Sequence, residues 1–159
     1  MAMDREMAGS RRQRGAVALE FLMLFPLVVA MLYAAAAYSV LFYSKYQIQD
    51  AVDKAVASAM RVDRSSVSGD DLESAVTSLS GGTLAALIAQ LPDAVASSVD
   101  DTATSCGMIT SSGVDLLQCS IRVQVSSDEN PIVSQWNFGF LGAFPPLPDS
   151  MTVESVIAI

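Results

Sequence analysis

Charge is absent from Phe21 through Ser44, and these 24 residues read FLMLFPLVVAMLYAAAAYSVLFYS. At about 1.5 Å per residue the run is long enough to cross a hydrocarbon core of about 30 Å as a helix. It predicts one membrane crossing. No second apolar run of that length follows, which argues against a polytopic channel or transporter. Upstream stand Arg5, Arg11, Arg12 and Arg14 against Asp4 and Glu6, whereas the chain after Tyr43 carries 14 acidic and five basic residues. The positive-inside rule then puts the N-terminus in the cytoplasm and the large C-terminal part outside. Tyr43 and Tyr46 fall at the outer edge of the run, where an aromatic belt is expected. A cleaved secretory signal fits less well, because the apolar run exceeds an h-region of about 7–15 residues and only Ala34–Ala37 resembles a small-residue cleavage tract. Pro26 predicts a kink, since a membrane helix can re-satisfy the carbonyl that proline frees.

Composition narrows the function. The chain has no histidine, which removes Ser-His-Asp and Cys-His triads, histidine-containing zinc sites and histidine-ligated haem. A net charge of −8 argues against nucleic acid as a partner, because phosphate contacts need clustered cations. The acidic pairs Asp70-Asp71, Asp100-Asp101 and Asp128-Glu129 lack the spacing of a calcium loop and read as solvated charge or helix caps. No phosphate loop, nucleophile elbow or metal-binding helix motif is present, so the protein is not expected to be an enzyme and no cofactor or metal is expected.

Glu20 is the residue out of place: it follows Ala16–Leu19 and opens the apolar run. A carboxylate entering a membrane costs a few kcal/mol, and such residues are by default pathway, pairing or assembly sites. The plain alternative is that Glu20 marks the interface at a favourable helix N-terminus. Its context is Arg11-Arg12-Gln13-Arg14-Gly15-Ala16-Val17-Ala18-Leu19-Glu20-Phe21.

This string resembles the class III signal of type IV pilin-like proteins, most closely the TadE/TadF-like pseudopilins of tight-adherence (Tad, or Flp) pilus systems. In that pattern a basic leader ends in glycine, here Gly15; the mature chain starts at Ala16, and its fifth residue is Glu20, followed by the aromatic Phe21. Phe25-Pro26-Leu27 and Leu41-Phe42-Tyr43 also look like family positions, so the resemblance covers about residues 11–62. It implies cleavage after Gly15 by a prepilin peptidase and a structural role in pilus initiation or at the tip. The implied partners are that peptidase, other pilins and pseudopilins, the pilus assembly platform in the inner membrane, and lipid. Cleavage would remove a leader of net charge +2 and leave −10 on the remainder. In family terms Glu20 is the recognition and assembly carboxylate, offsetting the α-amine of Ala16 in its own or a neighbouring subunit. Two alternatives stay open: an uncleaved single-span binding or adaptor protein of the envelope, and a pseudopilin of a type II-like secretion system.

Beyond the apolar run, Ile48, Val52, Ala55, Val56, Ala59 and Met60 recur at helical spacing, which predicts one helix over about 16–62, with Asp50 and Lys54 placed to pair. Ala30 and Ala34–Ala37 form either a packing ridge or lipid-facing filler. Next come a hinge at Ser65–Gly69, a Ser68/Asp71 capping pair, a helix over 70–79 ended by Gly81-Gly82, and a second helix over 83–91 stopped by Pro92. Residues 93–104 fit helix or loop. The texture then turns to strand: a hairpin of 105–110 and 116–126 around Ser111-Ser112-Gly113, a turn at Asp128–Pro131, a strand over 132–140, a proline-rich loop over 142–149, and a last strand from Met151 to Ile159. Trp136 and the Phe138–Phe144 stretch read as core or as a docking surface. Cys106 and Cys119, both on the outer side, are expected to pair. The fold class is therefore α+β in three parts: a basic leader over 1–15, a transmembrane and stalk helix over 16–62, and an extracytoplasmic domain over 63–159.

Overall fold

In the computed structural model, one helix, α1, runs from Asp4 to Ser58 and is followed by a 3-10 turn, Ala59–Arg61. The structure describes residues 4–63, 65, 69–126, 132–137, 139 and 142–159, with residues 4–16 and 70 described by their backbone alone. The helix starts twelve residues before the expected Ala16, because Asp4–Gly15 is rich in good helix formers and has no proline to stop it. Pro26 lies inside α1 and does not break it. After α1 come α2 (Asp70–Ile88), α3 (Asp93–Ala96), a 3-10 turn at Asp101–Ala103, and the strands β1 (Ser105–Ser111), β2 (Val114–Gln124), β3 (Trp136–Asn137), β4 (Ala143–Phe144) and β5 (Ser150–Ala158). The class is α+β, as the periodicities predict.

The chain forms two compact units, Met1–Tyr38 and Ser39–Ile159. Within the second, three antiparallel strands are ordered β1-β2-β5, with β2 in the centre. The alternation read in β2 decides its facing: Leu117, Cys119, Ile121 and Val123 are fully buried, and Arg122 and Gln124 are exposed. The hairpin from β1 to β2 turns on Ser112 and Gly113, with φ of 54° and 79°. Two consecutive positive φ values match the right-handed twist of the flanking strands, which is why a glycine stands at the second position.

One core joins Ile48, Val52, Ala55 and Val56 of α1 to Leu84, Val95, Cys119, Ile121, Val123 and Val153. A smaller one gathers Ala59, Val76 and Leu117, with Leu72, Met108 and Ile157 against it. Each fully buried branched side chain contributes about 1.5–3 kcal/mol of transfer free energy, so these faces hold the helices on the sheet. Two buried hydroxyls are satisfied locally, Ser58 Oγ donating to Ala55 O at 2.6 Å and Ser98 Oγ to Val95 O at 2.7 Å, whereas the fully buried Ser80 Oγ has no hydrogen-bond partner. Asp50 and Lys54 pair as expected, at 2.6 Å on an exposed face.

Three expectations are corrected. Gly81-Gly82 does not end a helix; α2 is a single helix through both glycines. Leu72, Val76, Ser80, Leu84 and Ile88 form one unbroken i,i+4 row toward the cores, and both glycines lie off that row. Packing along the row outweighs a propensity cost of about 1 kcal/mol per glycine. Residues 132–140 do not form a full strand: β3 is two residues long, pairing Trp136 with Phe144 and Asn137 with Ala143. Gly139, with φ of 63°, and an Asn137 Oδ1 that accepts from Gly139 N at 3.0 Å turn the chain there. The same pairing corrects the proline-rich 142–149, which supplies β4 before its prolines take over. Residues 93–104, open between helix and loop, are both: α3, a short 3-10 turn, and a bridge from Val99 to Val123. Ser68 of the capping pair, the turn at Asp128–Pro131, Phe138 and Phe140 lie outside the described residues.

Candidate assembly segment

Gly15 and Ala16 lie in helical backbone, inside α1. Glu20 is therefore one turn C-terminal to residue 16, on the i,i+4 spacing that brings helical neighbours together. Its side chain is exposed. Phe21 is exposed as well, and its ring lies 5.8 Å from that of Phe25, tilted by 36°. The sequence motif singles out Phe21 but not this ring contact, for which the i,i+4 aromatic spacing is the signal.

The apolar side chains around these residues are turned outward on every side of the helix. Val17, Leu19, Leu22, Met23, Leu24, Leu27, Val28 and Val29 are all exposed, Leu22 and Met23 by 73%. A helix that is apolar all round belongs in a membrane or among other helices. The stretch Val17–Arg61 contains the one described helix long and apolar enough to span a bilayer, with a mean hydropathy of 2.2 in its most apolar window, none of that window buried within the chain. Among the described residues this is the one helix of the kind that anchors a protein by a single pass. Residues 15–57 match the family model of TadE-like proteins. The N-terminal segment is TadE-like. It includes Gly15, Ala16, Glu20 and Phe21, and supports a place for the chain among proteins associated with Tad pilus systems. No curated protein and no solved structure matches the chain.

Cys106 and Cys119 form a disulfide across directly paired positions of β1 and β2. Cys119 belongs to the larger core and Cys106 borders both cores, so the bond ties the edge strand to the buried centre of the sheet. The acidic residues past the apolar run are held locally or exposed. Asp100 Oδ1 accepts from Thr102 N at 3.1 Å and from Thr102 Oγ1 at 2.6 Å, capping the 3-10 turn. Those bonds, first the one from the Thr102 hydroxyl, hold its carboxyl below the ordinary value of 3.8. Asp63 is lowered in the same way by the Ser65 hydroxyl. Asp71 is exposed, and Asp128-Glu129 lies outside the described residues. Among the described residues no three His, Cys, Asp or Glu side chains converge as a metal site. Trp136 is 54% exposed and Phe144 half-buried.

Proposed function

We propose that this chain is a minor pseudopilin of a Tad-type pilus system, with a structural and non-catalytic role in initiating the pilus or at its tip. The supporting observation is the coincidence, within one TadE-like segment, of an outward-facing apolar helix and a single carboxylate, Glu20, at its start. The leader stays in the cytoplasm and the unit beyond the span lies outside, following the arginine-rich start. A prepilin peptidase cuts after Gly15. The bond lies in helical backbone, so cutting requires local unwinding, for which glycine is the least resistant residue after proline. The cut removes four arginines that otherwise hold the helix in the bilayer and exposes an α-amine on Ala16.

The carboxylate of Glu20 then has two candidate amines, its own one turn away or that of a neighbouring subunit. In hydrocarbon such a pairing replaces two unfavourable charges with one dipole, which makes it a register mark for helix packing. Partners are other pilins and pseudopilins, engaged through α1, together with the assembly platform and lipid.

Mass spectrometry of the N-terminus, on protein from its native host, tests the first step. A chain starting at Ala16 is expected; an intact leader in the presence of an active peptidase sinks the proposal and favours an uncleaved envelope adaptor. Glu20→Ala is expected to insert normally and to abolish or sharply reduce piliation. Normal piliation in that variant removes Glu20 from the mechanism.

A further inference from the structure

Trp136 is the chain's one tryptophan, and residues 132–148 around it include no charged side chain. It stands opposite Phe144 in the β3-β4 pair and is 54% exposed, with Phe144 and Leu147 half-buried and Pro146 exposed. An exposed tryptophan among half-buried apolar side chains has the make-up of a contact surface, and its place in the unit says what it contacts.

α1 and β2 fix that place. Ala59, just past α1, packs with Leu117 early in β2, whereas Ile48 and Val52 pack in the cluster that holds Ile121 and Val123. The two elements therefore run antiparallel, and the far end of β2 lies toward the apolar run. The segment that follows is tied to that end on both legs: Ile132 N donates to Val125 O at 3.3 Å, and Val125 N to Asp149 O at 2.9 Å. Between the legs, Gln135 Nε2 donates at 2.9 Å to the carbonyl of the fully buried Pro145. With Ile48 and Val123 in one cluster, the two residues on to Val125 cover about 6.6 Å, which is close to the rise of one helical turn back to Ser44. Ser44 and Leu41 are themselves buried, so the covering of α1 continues past the last position of the sheet. Residues 132–149 thus lie at the level of Leu41 and Ser44, all within the unit Ser39–Ile159.

That level is where the apolar run ends. Lys45 follows Ser44, and Tyr43 and Tyr46 are exposed there by 63% and 72%. When the run crosses a bilayer, the edge of the hydrocarbon core falls beside Trp136. Tryptophan favours this zone, because its ring is apolar while its N–H can stay hydrated. Charge does not draw the segment there: it has no lysine or arginine, and Asp149 closes it. A neutral lipid surface therefore suits it better than an anionic one.

We propose that the β3-β4 segment rests in the interfacial zone of the bilayer that α1 spans, with Trp136 among the neutral glycerol and carbonyl groups of the lipid. This rests on reading α1 as a membrane span. The contact is continuous with the tyrosines at the end of the span, and it gives the unit a second point of attachment. One helix alone leaves the unit free to lean; two contacts fix its tilt on the membrane.

The test uses the full chain in phosphatidylcholine vesicles, where tryptophan emission reports position 136 alone. Phosphatidylcholine brominated near the headgroup end of its acyl chains should quench that emission at least about twofold more than lipid brominated near the chain ends. Iodide on both sides of the membrane should quench it little. The double variant Trp136→Phe, Leu32→Trp moves the reporter to the middle of the apolar run, where the order of the two brominated lipids should reverse. If the order reverses there while Trp136 answers to iodide and to neither brominated lipid, the span stands and the interfacial contact is wrong. If the moved reporter also answers only to iodide, the span fails and the contact fails with it. Shielding of Trp136 from iodide that disappears when lipid is added in excess overturns the proposal in favour of a second copy.

Discussion

The two ends of α1 obey different solvents. From Val17 to Leu32 its large side chains are exposed in every direction, whereas Ile48, Val52 and Ala55 are fully buried on one face and Asp50, Asp53 and Lys54 are exposed on the other. Both stretches are helical and both are apolar enough to bury. The difference lies in the polar residues. Past Ser44 charged residues return at helical spacing, opposite a buried stripe that begins at Ala37 and Leu41, while from Val17 to Leu32 no charged residue but Glu20 is present and only lipid or other helices can cover the surface. One continuous helix can therefore serve two environments without any change in backbone, and the periodicity of its polar residues marks where one gives way to the other.

The strongest way to break this comparison is to cut the same kind of side chain at both ends. Ile48→Ala removes a fully buried group and should destabilise the unit Ser39–Ile159 by about 2–5 kcal/mol. Leu22→Ala, at a 73% exposed position, should leave the thermal unfolding of that unit unchanged. Equal losses, read by circular dichroism in micelles, would show that the two stretches share one folding unit. Next in size is the disulfide. Cys106 and Cys119 close a loop with a separation of 13, for which the chain-entropy model gives roughly 3 kcal/mol. Replacing both by alanine should lower the urea midpoint of that unit and leave detergent-resistant insertion of the span intact.

How much of this was legible depends on whether the deciding contact is local. The span is visible because charge is missing from 24 consecutive residues, and β2 is visible because Cys119, Ile121, Val123 and Val125 alternate with polar neighbours. The disulfide was expected from there being two cysteines past the span, on the side that the arginine-rich start predicts to be oxidising. β3 and β4 are not visible: each is two residues, and the reason Trp136 and Phe144 pair lies in where the intervening chain returns. α2 was misjudged for another reason. The glycine pair is a conspicuous helix stop, and the i,i+4 row from Leu72 to Ile88 that overrides it contains the polar Ser80. In the candidate site, Gly15, Ala16, Glu20 and Phe21 were legible as a motif, but the tilted contact of the Phe21 and Phe25 rings was not part of it.

α2 sharpens the comparison, because its continuity, like that of the buried half of α1, is held by packing. Gly81 and Gly82 have ordinary helical backbone and open space where a Cβ would go. Gly81→Ala and Gly82→Ala should each raise stability by about 0.5–1 kcal/mol, by narrowing the unfolded ensemble. A loss on either substitution, measured by urea unfolding of the disulfide-intact protein, would mean that the glycine is needed for a close approach.

The smallest expected effect concerns the exposed side of the buried half of α1, the side that has no counterpart between Phe21 and Ser44. Lys54 Nζ donates to Asp50 Oδ2 at 2.6 Å, with both side chains more than 60% exposed. An i,i+4 pair in water contributes about 0.3–0.5 kcal/mol, since solvent screens the attraction and holding two flexible side chains costs entropy. A double-mutant cycle of Asp50→Asn and Lys54→Gln should return a coupling of that size at low salt and none at about 1 M, where the screening length is about 3 Å. A coupling that persists in salt would mean that the pair is shielded from water. The polar stripe would then be covered by something, and the exposed side of this stretch would not face water.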